Sequence, residues 1–207
     1  MKTIIFDFDG TILDSTLRLY TLFINITKFS DLTYERYWSL KRNGISNLMI
    51  LASFKIDGIS NDQFTETWMN QIESNYYLEM DELYADVFLT INDLHIKGYK
   101  LILCTARQKL ECVFNQLDKF KIKDFFDSVL VTEQKYSKAE LFDENHSGLH
   151  VDFVVGDTPK DIELAKHVNA RSVAVTHGFL DARTLKKYNP DFMVDNFKQL
   201  SSILKSC

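Results

Sequence analysis

The 207-residue sequence lacks the features that would place it in several special classes of protein. It has no apolar run approaching the roughly 20 residues that a membrane-spanning helix requires, and it has no internal repeat or low-complexity tract. It also lacks an excess of positive charge: its formal net charge is −5, so a nucleic-acid polymer is not expected as its main partner. A buried-type strand begins at Thr3, which leaves no room for a signal peptide. We therefore expect a cytoplasmic globular protein that binds neither membranes nor nucleic acid.

Cysteine is also scarce, with only three residues, Cys104, Cys112 and Cys207. An odd number of cysteines without a secretory signal predicts free thiols in a reducing compartment. No cysteine or histidine falls at the spacing of a zinc site. Among the five histidines, only His177, directly before Gly178 at a predicted strand end, is kept as a candidate for contact with a substrate.

What the sequence does contain is a series of short runs rich in valine, isoleucine, leucine and phenylalanine, each of strand length. Apolar residues at helical spacing predict helices over residues 108–120 and 159–168, between consecutive runs. Helices that alternate with almost continuously apolar strands predict an α/β fold, with a doubly wound parallel sheet whose chemistry gathers at the carboxyl ends of the strands. The predicted strands are Thr3–Phe6, Tyr99–Thr105, Ser128–Thr132, Val151–Gly156 and Arg171–Thr176, with a shorter one at Asp191–Asp195.

One segment, from Asp14 to about Asp86, breaks this alternation because its pattern is helical throughout. Ser60–Gln63 has the form of a capping box, and the apolar residues after it recur at helical spacing. The simplest account is an all-α cap, residues 14–87, inserted into a core formed by residues 1–13 and 88–207. A cap placed directly after the first strand can close over a substrate and exclude water. The alternative is a set of helices that merely pack against the sheet.

The most informative motif is Asp7-Phe8-Asp9-Gly10-Thr11, directly after the first predicted strand. Side chains alternate along a strand, so Asp7 and Asp9 would point the same way from its carboxyl end. Two adjacent carboxylates repel each other unless a cation lies between them or one of them is protonated. Gly10 lets the backbone turn sharply, and Thr11 adds a hydroxyl beside the turn. Clustered charge at such a place is costly, which indicates a functional site.

Further polar side chains follow three later strands at the same edge of the predicted sheet. Thr105 and Arg107 follow the second run, and a loop with Lys135 and Lys138 follows the third. The motif after the fourth run is Gly156-Asp157-Thr158-Pro159-Lys160-Asp161, whose last aspartate follows the first by four residues, so that both can face one spot. The alternative is a purely structural role, in which these aspartates and Thr105 cap the helices that follow them.

These residue types fit a magnesium-assisted phosphoryl reaction. Asp7, Asp9 and Asp157 supply hard oxygen ligands, which suit Mg²⁺ better than zinc or copper. A threonine hydroxyl and a lysine suit an anionic oxygen group, of which phosphate is the obvious candidate. A metal ion lets an aspartate approach phosphorus despite the repulsion between anions, and a carboxylate two residues away can move the proton.

The order and form of these motifs resemble those of the haloacid dehalogenase-like superfamily of hydrolases, and the resemblance extends over the whole chain. It implies a Rossmann-like core, with Asp7 as the nucleophile and Asp9 as the general acid/base. It also implies that Mg²⁺ is bound by the side chains of Asp7 and Asp157 and by the backbone carbonyl of Asp9, with Asp161 supporting the metal. Thr105 and a lysine would then hold the transferring phosphoryl group.

Three assignments stay open on the sequence alone. Lys138 begins an amphipathic helix, the usual placement in the relatives, and is preferred over Lys135 as the phosphate-binding lysine. Arg107 either reaches the substrate phosphate or caps the following helix. The third open assignment concerns the turn Arg42-Asn43-Gly44. This turn resembles a cap loop that approaches the leaving group and sets specificity, and the alternative is an ordinary turn between helices.

Asp9 narrows the expected activity, because dehalogenases of this superfamily lack an acid/base carboxyl at that position. We therefore expect a phosphatase of the phosphoglycolate phosphatase-like branch, which hydrolyses a small phosphorylated metabolite through an aspartyl phosphate. A sugar phosphomutase similar to β-phosphoglucomutase is the alternative, and a non-catalytic binding protein on the same scaffold is a third. The sequence identifies neither the substrate nor the oligomeric state. Four aromatic residues of the cap are expected to lie in the core of the cap rather than to line a pocket: Tyr34, Tyr37, Trp38 and Trp68.

Overall fold

The structure of the protein is a computed structural model that describes residues 2–206, with the side chains of residues 2–204. Cys207, one of the three cysteines, lies outside the described residues. None of the helices in the described part is both long and apolar enough to cross a membrane. In chain order the strands are β1 (Thr3–Phe6), β2 (Leu13–Asp14), β3 (Glu82–Leu83), β4 (Lys100–Thr105), β5 (Ser128–Val131), β6 (Phe153–Gly156), β7 (Arg171–Val175) and β8 (Phe192–Val194).

The helices lie mainly in two places, between β2 and β3 and between the later strands. One turn of 3-10 helix, Lys123–Phe125, precedes β5. The α-helices are α1 (Thr16–Thr27), α2 (Tyr34–Arg42), α3 (Asn47–Phe54), α4 (Asn61–Gln71), α5 (Asn75–Leu78), α6 (Val87–Ile96), α7 (Leu110–Lys119), α8 (Lys138–His146), α9 (Pro159–His167), α10 (Ala182–Lys186) and α11 (Phe197–Ser206).

Six of the strands form one parallel sheet, in the order β5-β4-β1-β6-β7-β8. Within it, β1 lies between β4 and β6, with Ile5 in register with Ile102 on one side and with Val154 on the other. Every residue of β1 is buried, as expected for an unbroken run of β-branched and aromatic side chains in the middle of a parallel sheet.

Alternate residues of β1 reach opposite faces of the sheet, and helices cover each face. Ile4 and Phe6 pack in one apolar cluster with residues of α6, α7 and α11, whereas Ile5 packs in another with residues of α8 and α9. The predicted α/β fold with a doubly wound parallel sheet is therefore confirmed. Because the carboxyl ends of β4, β1 and β6 lie side by side, the residues that follow these three strands meet at one edge of the sheet.

Helices α1 to α5 lie between β2 and β3, two short strands that the sequence pattern did not predict. They pair antiparallel, with Leu13 beside Leu83 and Asp14 beside Glu82. The two ends of the helical segment therefore lie next to each other. Strands of 2 residues are too short to show an alternating pattern, so no periodicity marks them in the sequence.

The helical segment has an apolar core of its own, which includes Tyr37 and Phe64. Among the described residues, Phe179 is the member of this cluster that comes from outside the segment. A separate core supports the division into a catalytic core and a cap at residues 14–87, which stays a prediction. The four aromatic residues expected in the core of the cap all belong to this cluster: Tyr34, Tyr37, Trp38 and Trp68.

Candidate active site

The turn after β1 places the aspartates of the first motif at the sheet edge. The amide of Leu13 donates to the carbonyl of Phe8 at 2.9 Å, which closes the turn. Gly10 has a φ of +80°, and a side chain there would collide with the carboxylate of Asp157. A side chain at Gly178 would also collide with Asp157. The two glycines therefore let a buried aspartate approach the turn that carries the motif.

Lys138 lies between two carboxylates at the end of β1. Its Nζ is 2.6 Å from Asp7 Oδ1 and 2.6 Å from Asp161 Oδ1. The lysine is the first residue of α8, and a capping box formed by Ser137 and Glu140 fixes the start of this helix. The capping box at the start of α8 thus helps to place the ammonium group of Lys138 at the carboxyl end of β1.

The charges in this group shift the pKa values of its members. Burial is the main reason that the pKa of Asp7 is raised to about 7; the charge of Lys138 opposes this shift, and those of Asp161 and Asp9 add to it. Burial by itself lowers the pKa of Lys138, but the carboxylates of Asp161 and Asp7 outweigh burial and raise that pKa. The lysine is therefore protonated at neutral pH.

Asp157 and Asp161, from the motif after β6, have different partners. Asp161 Oδ2 accepts from the amide of Thr158 at 3.0 Å and from its hydroxyl at 2.7 Å, which caps α9. Asp161 thus caps the helix, as one of the predicted alternatives has it, and also binds Lys138; its support of a metal ion stays a prediction. Asp157 is fully buried and accepts from the amide of Phe179 at 2.6 Å and from the hydroxyl of Thr11 at 3.3 Å.

Asp7, Asp157 and Asp161 form what we call the carboxylate cluster, in which one oxygen of each residue lies within 4.8 Å of the others. Lys138 pairs with Asp7 and Asp161, but within residues 2–204 no lysine or arginine forms an ion pair with Asp157. Burial, followed by the charges of Asp7 and Asp161, raises the pKa of Asp157 well above its usual range. Three buried carboxylates beside one ammonium group leave excess negative charge, and this donor set is able to hold a metal ion.

Of the carboxylate cluster, Asp7 lines a cavity of about 590 Å³, the main cavity of the site, together with Asp9, Thr105 and Lys138. Thr105, the last residue of β4, is 1% exposed. The second lysine of the predicted pair, Lys135, lies outside this lining; it is exposed and pairs with Glu133 on its own loop. The structure therefore brings together both aspartates of the first motif, the threonine and Lys138, but not Lys135.

Asp9 has a different set of partners from Asp7. Its Oδ1 accepts from the hydroxyl of Ser15 at 2.6 Å and from Nη2 of Arg107 at 2.7 Å, and it also binds Arg18. Arg107 Nε binds the second oxygen, Oδ2. Burial raises the pKa of Asp9, but the charges of Arg107 and Arg18 outweigh burial and hold the pKa well below its usual range. Asp9 is therefore an ionised carboxylate held by two guanidinium groups.

Both arginines also contact Asp81, which is buried at the end of the helical segment. Arg18 Nε lies 2.9 Å from Asp81 Oδ1, and Arg107 Nη2 lies 3.3 Å from Asp81 Oδ2. Gln116 of α7 donates to Asp81 at 2.8 Å and accepts from Arg107 at 3.0 Å. We call Asp9, Asp81, Arg18 and Arg107 the arginine cluster; its formal charges balance, unlike those of the carboxylate cluster.

Both clusters fall inside a region that matches a known family. The sequence model of the family described as "Haloacid dehalogenase-like hydrolase" matches residues 4–175. The chain belongs to this family. The match runs from the second residue of β1 to the last residue of β7 and includes the helical segment between β2 and β3.

Two curated proteins are similar to this chain over almost its full length. This haloacid dehalogenase-like hydrolase is 26% identical to the phosphoglycolate phosphatase of Aliivibrio fischeri, over 99% of this chain and 96% of that protein. It is also 26% identical to the pyrophosphatase PpaX of Bacillus cereus, over 100% of this chain and 97% of that one. Its fold resembles the crystal structure of a predicted phosphatase from Clostridium acetobutylicum, with a TM-score of 0.78, 16% identity and coverage of 100% and 99%. The predicted family and its phosphoglycolate phosphatase-like branch are confirmed.

In this hydrolase, the predicted specificity loop contacts the backbone that follows β7. The guanidinium group of Arg42 donates to the carbonyls of Thr176 at 2.8 Å and of Gly178 at 3.2 Å. Asn43, the residue directly after α2, donates to the carbonyl of Ser39 in that helix. Neither residue lines the main cavity, nor does the third member of the turn, Gly44. Contact of Arg42-Asn43-Gly44 with a leaving group therefore stays a prediction.

His177 is held by the backbone rather than exposed to the main cavity of the hydrolase. Its ring nitrogens lie 3.2 Å from the carbonyl of Asp195 and 3.2 Å from that of Thr11. It does not line the main cavity, and its ring packs against Tyr84. Of the predicted free thiols, Cys104 and Cys112 are free.

Sequence reasoning missed two members of the arginine cluster, Arg18 and Asp81. A signal for Arg18 was available, because it lies one helical turn before Leu22 on the apolar stripe of α1, where a charge is expected only if it is paired. Asp81 follows α5 in a stretch without periodicity, and no local pattern marks it. Arg107 was predicted to bind the substrate phosphate or to cap a helix, but in the structure it binds Asp9 and Asp81.

Proposed function

We propose that this hydrolase is a Mg²⁺-dependent phosphatase that cleaves a small phosphate monoester through an aspartyl phosphate on Asp7. The observation that carries the proposal is the carboxylate cluster, in which Lys138 pairs with Asp7 and Asp161 and Asp7 lines a cavity that Asp9 and Thr105 also line. Relatives named phosphoglycolate phosphatase and pyrophosphatase support a small phosphorylated substrate.

The residues of the cluster fit a magnesium ion. Asp157 is buried without an ion-pair partner in residues 2–204, and its oxygens share a space of a few ångströms with those of Asp7. The side chains of Asp7 and Asp157 and the backbone carbonyl of Asp9 would hold the ion, with Asp161 in support. When bound, Mg²⁺ supplies positive charge that lets an anionic phosphoryl group approach these carboxylates.

In the first chemical step, Asp7 acts as the nucleophile. A carboxylate oxygen of Asp7 forms a bond to phosphorus while the bond from phosphorus to the leaving-group oxygen breaks. Asp9, once it has left the two guanidinium groups and taken up a proton from solvent, gives that proton to the leaving oxygen. In the second step Asp9 takes a proton from water, whose oxygen attacks phosphorus and releases Asp7 and inorganic phosphate.

Two further side chains position the phosphoryl group. The Lys138 ammonium, which the two neighbouring carboxylates keep protonated, pairs with a phosphoryl oxygen, and the Thr105 hydroxyl donates to another. The same lysine also holds Asp7 in place from 2.6 Å. Positioning by buried groups with few free rotations keeps the nucleophile oriented before the substrate arrives.

A phosphatase assay tests the proposal directly. The purified protein is expected to release phosphate from para-nitrophenyl phosphate and acetyl phosphate with Mg²⁺, and to stop when EDTA is added. Asp7→Asn should lower kcat by about 10⁴-fold or more, because the amide cannot attack phosphorus. Lys135→Met is the matched control for Lys138→Met: the first should leave turnover unchanged, and the second should lower it.

Some outcomes would contradict the proposal. A folded protein with Mg²⁺ that hydrolyses no phosphate ester would exclude the phosphatase and favour a binding protein on the same scaffold. Interconversion of sugar phosphates that requires a bisphosphate, without net release of phosphate, would instead identify a phosphomutase. Turnover close to wild type in Asp7→Asn would show that another residue is the nucleophile.

A further inference from the structure

The loop that follows β7, residues 176–179, contacts the turn of the first motif and the buried carboxylate of Asp157. The amide of Phe179 donates to Asp157 Oδ2 at 2.6 Å. A side chain at Gly178 would collide with the carbonyl oxygen of Gly10 and with Asp157. These residues, which we call the β7 loop, therefore pack directly against the Asp157 carboxylate.

Asp157 depends on the β7 loop for its orientation. Besides the amide of Phe179, its hydrogen-bond donor within residues 2–204 is the hydroxyl of Thr11, at the longer distance of 3.3 Å. Hydrogen-bond partners of a metal ligand orient that ligand and thereby set the affinity for the metal. A displacement of the Phe179 amide would therefore release the carboxylate that is proposed to bind Mg²⁺ from its shorter hydrogen bond.

The helical segment holds the same loop through Arg42, the last residue of α2. The guanidinium group of Arg42 donates to the carbonyls of Thr176 at 2.8 Å and of Gly178 at 3.2 Å. In return, the carbonyl of Arg42 accepts from the amide of Asp181 at 3.0 Å and from the hydroxyl of Thr184 at 3.2 Å. Arg42 thus joins the helical segment both to the β7 loop and to the start of α10.

The side chain of Phe179 makes a second contact with the helical segment. Its ring stacks on that of Trp38 in α2, with the ring centroids 5.8 Å apart and an angle of 22° between the planes. Trp38 is buried, and its indole nitrogen donates to the carbonyl of Thr16 at 3.2 Å. Phe179 therefore contacts the Asp157 carboxylate through its amide and the helical segment through its ring.

We infer that Arg42 and Trp38 position Phe179, and that the Phe179 amide in turn orients Asp157 for the binding of Mg²⁺. The inference rests on the proposed function, which assigns Asp157 to the metal, and adds that the metal site is complete only when the helical segment contacts the β7 loop. Neither Arg42 nor Trp38 lines the main cavity, so both are positioning residues that act through this loop.

The affinity for Mg²⁺ tests the inference without any substrate. Arg42→Met removes the donors to the β7 loop and should raise the Kd for Mg²⁺ by about 10-fold, at the lower end of the effects seen for hydrogen-bond partners of metal ligands. Isothermal titration calorimetry on the full chain measures this Kd. Arg42→Lys keeps a charged donor without the planar fork, so its Kd should be intermediate. Arg36→Met, at an exposed arginine of the same helix, should leave the Kd unchanged.

A spectroscopic measurement does not depend on the folding of the Arg42 variants. The chain has two tryptophans, so Trp68→Phe leaves Trp38 as the only one. Because the Trp38 ring stacks on Phe179, whose amide binds Asp157, addition of Mg²⁺ should change the fluorescence of Trp38 in this variant. When Asp157→Asn is added to Trp68→Phe, the same titration should leave the fluorescence unchanged.

Kinetics separate this positioning role from contact with the substrate. In Arg42→Met, hydrolysis of para-nitrophenyl phosphate should need about 10-fold more Mg²⁺ for half-maximal activation. At saturating Mg²⁺, the KM for the ester should stay within about twofold of the wild-type value, because no substrate contact has been removed. A raised KM with an unchanged Kd for Mg²⁺ would show that Arg42 binds the substrate, and the inference would be wrong.

Two further results would overturn the inference while leaving the phosphatase proposal intact. One is a Kd for Mg²⁺ that is the same in Arg42→Met as in the wild-type protein. The other is a Trp38 fluorescence that does not respond to Mg²⁺ at concentrations at which calorimetry detects binding. A wild-type protein that binds no Mg²⁺ would instead contradict the proposed function itself.

Discussion

The carboxylate cluster and the arginine cluster lie at the two ends of a three-residue motif, yet they balance their charges in different ways. Asp7 shares its surroundings with two other carboxylates and one ammonium group. Asp9 shares its surroundings with one carboxylate and two guanidinium groups. The formal charges of the first cluster leave an excess of negative charge, whereas those of the second cluster balance. Two aspartates of one motif thus have pKa values shifted in opposite directions by the side chains around them.

The largest expected effect comes from removing the unpaired carboxylate of the first cluster. Asp157→Asn should lower kcat/KM by about a thousandfold, since the metal site contributes several kcal/mol of transition-state stabilisation. It should also abolish the rise in melting temperature that Mg²⁺ produces in the wild-type protein, a rise expected because ligands that bind only the folded state stabilise it. Steady-state kinetics and a thermal melt with and without Mg²⁺ provide the two readouts.

Asp152 offers a matched control for this variant at the other end of the same strand. Its carboxylate accepts from the amide of Thr3 at 2.8 Å, away from the main cavity. Asp152→Asn should therefore keep both turnover and the Mg²⁺-dependent shift in melting temperature. If Asp157→Asn retained the shift, the metal would have to bind elsewhere, and the contrast between the two clusters would fail.

The second effect tests the balance of the arginine cluster. Asp81→Asn leaves Arg18 and Arg107 with Asp9 alone, and removal of one partner from a buried ion-pair network should lower the free energy of unfolding by about 3 kcal/mol. Chemical denaturation measures the change. Glu79→Gln is the control, because Glu79 forms an exposed pair with Lys119, and its loss should change stability far less. Equal effects of the two substitutions would mean that the arginine cluster has no special role in stability.

The smallest effect concerns pH, and it separates the two aspartates of the motif. The pKa of Asp7 is raised to about 7 by burial, so the folded state binds a proton more tightly than the unfolded chain. In the metal-free protein, Asp7 should therefore lower the free energy of unfolding by about 2 kcal/mol as the pH rises from about 5 to about 7, and Asp157 and Asp81, whose pKa values are also raised, should add to the fall. Asp7→Asn should remove the part of this fall that Asp7 contributes.

Asp9→Asn is the internal comparison for this measurement. The pKa of Asp9 is held well below its usual range, so Asp9 is ionised in both states above about pH 5 and contributes no slope there. Denaturation curves at several pH values, collected in EDTA, measure the slopes. A slope that is reduced equally by both substitutions would contradict the difference between the clusters.

Much of the catalytic edge could be predicted from the sequence because local patterns mark it. The apolar run of β1 marks a buried strand, and Asp7 and Asp9 directly after it mark the carboxyl end of that strand. The motif with Asp157 follows another such strand. Lys138 was preferred over Lys135 because it begins a helix, and the capping box at Ser137 does fix its position. Each of these residues belongs to a strand end or a helix start, so its place in the fold follows from its neighbours in the chain.

The arginine cluster could not be predicted in the same way. Its members come from α1, from the stretch after α5 and from the loop after β4, and Arg18 and Arg107 are 89 residues apart in sequence. Only the packing of the helical segment against the sheet brings them to Asp9. The pairing of β2 with β3 was missed for a related reason, since Leu13 meets Leu83 through a contact between distant and very short segments.

That pairing has a consequence for how such a chain can change over evolution. The chain leaves the sheet domain at β2 and returns to it at β3, and these two strands are paired. The helical segment is therefore an insertion whose two ends lie side by side. A different insert at the same point would leave Asp7 and Lys138 where they are. It would, however, give Asp9 a new set of neighbours in place of Arg18 and Asp81. The neighbours of Asp7 and those of Asp9 can therefore change separately, because the helical segment joins the sheet domain where only two residue pairs connect β2 and β3.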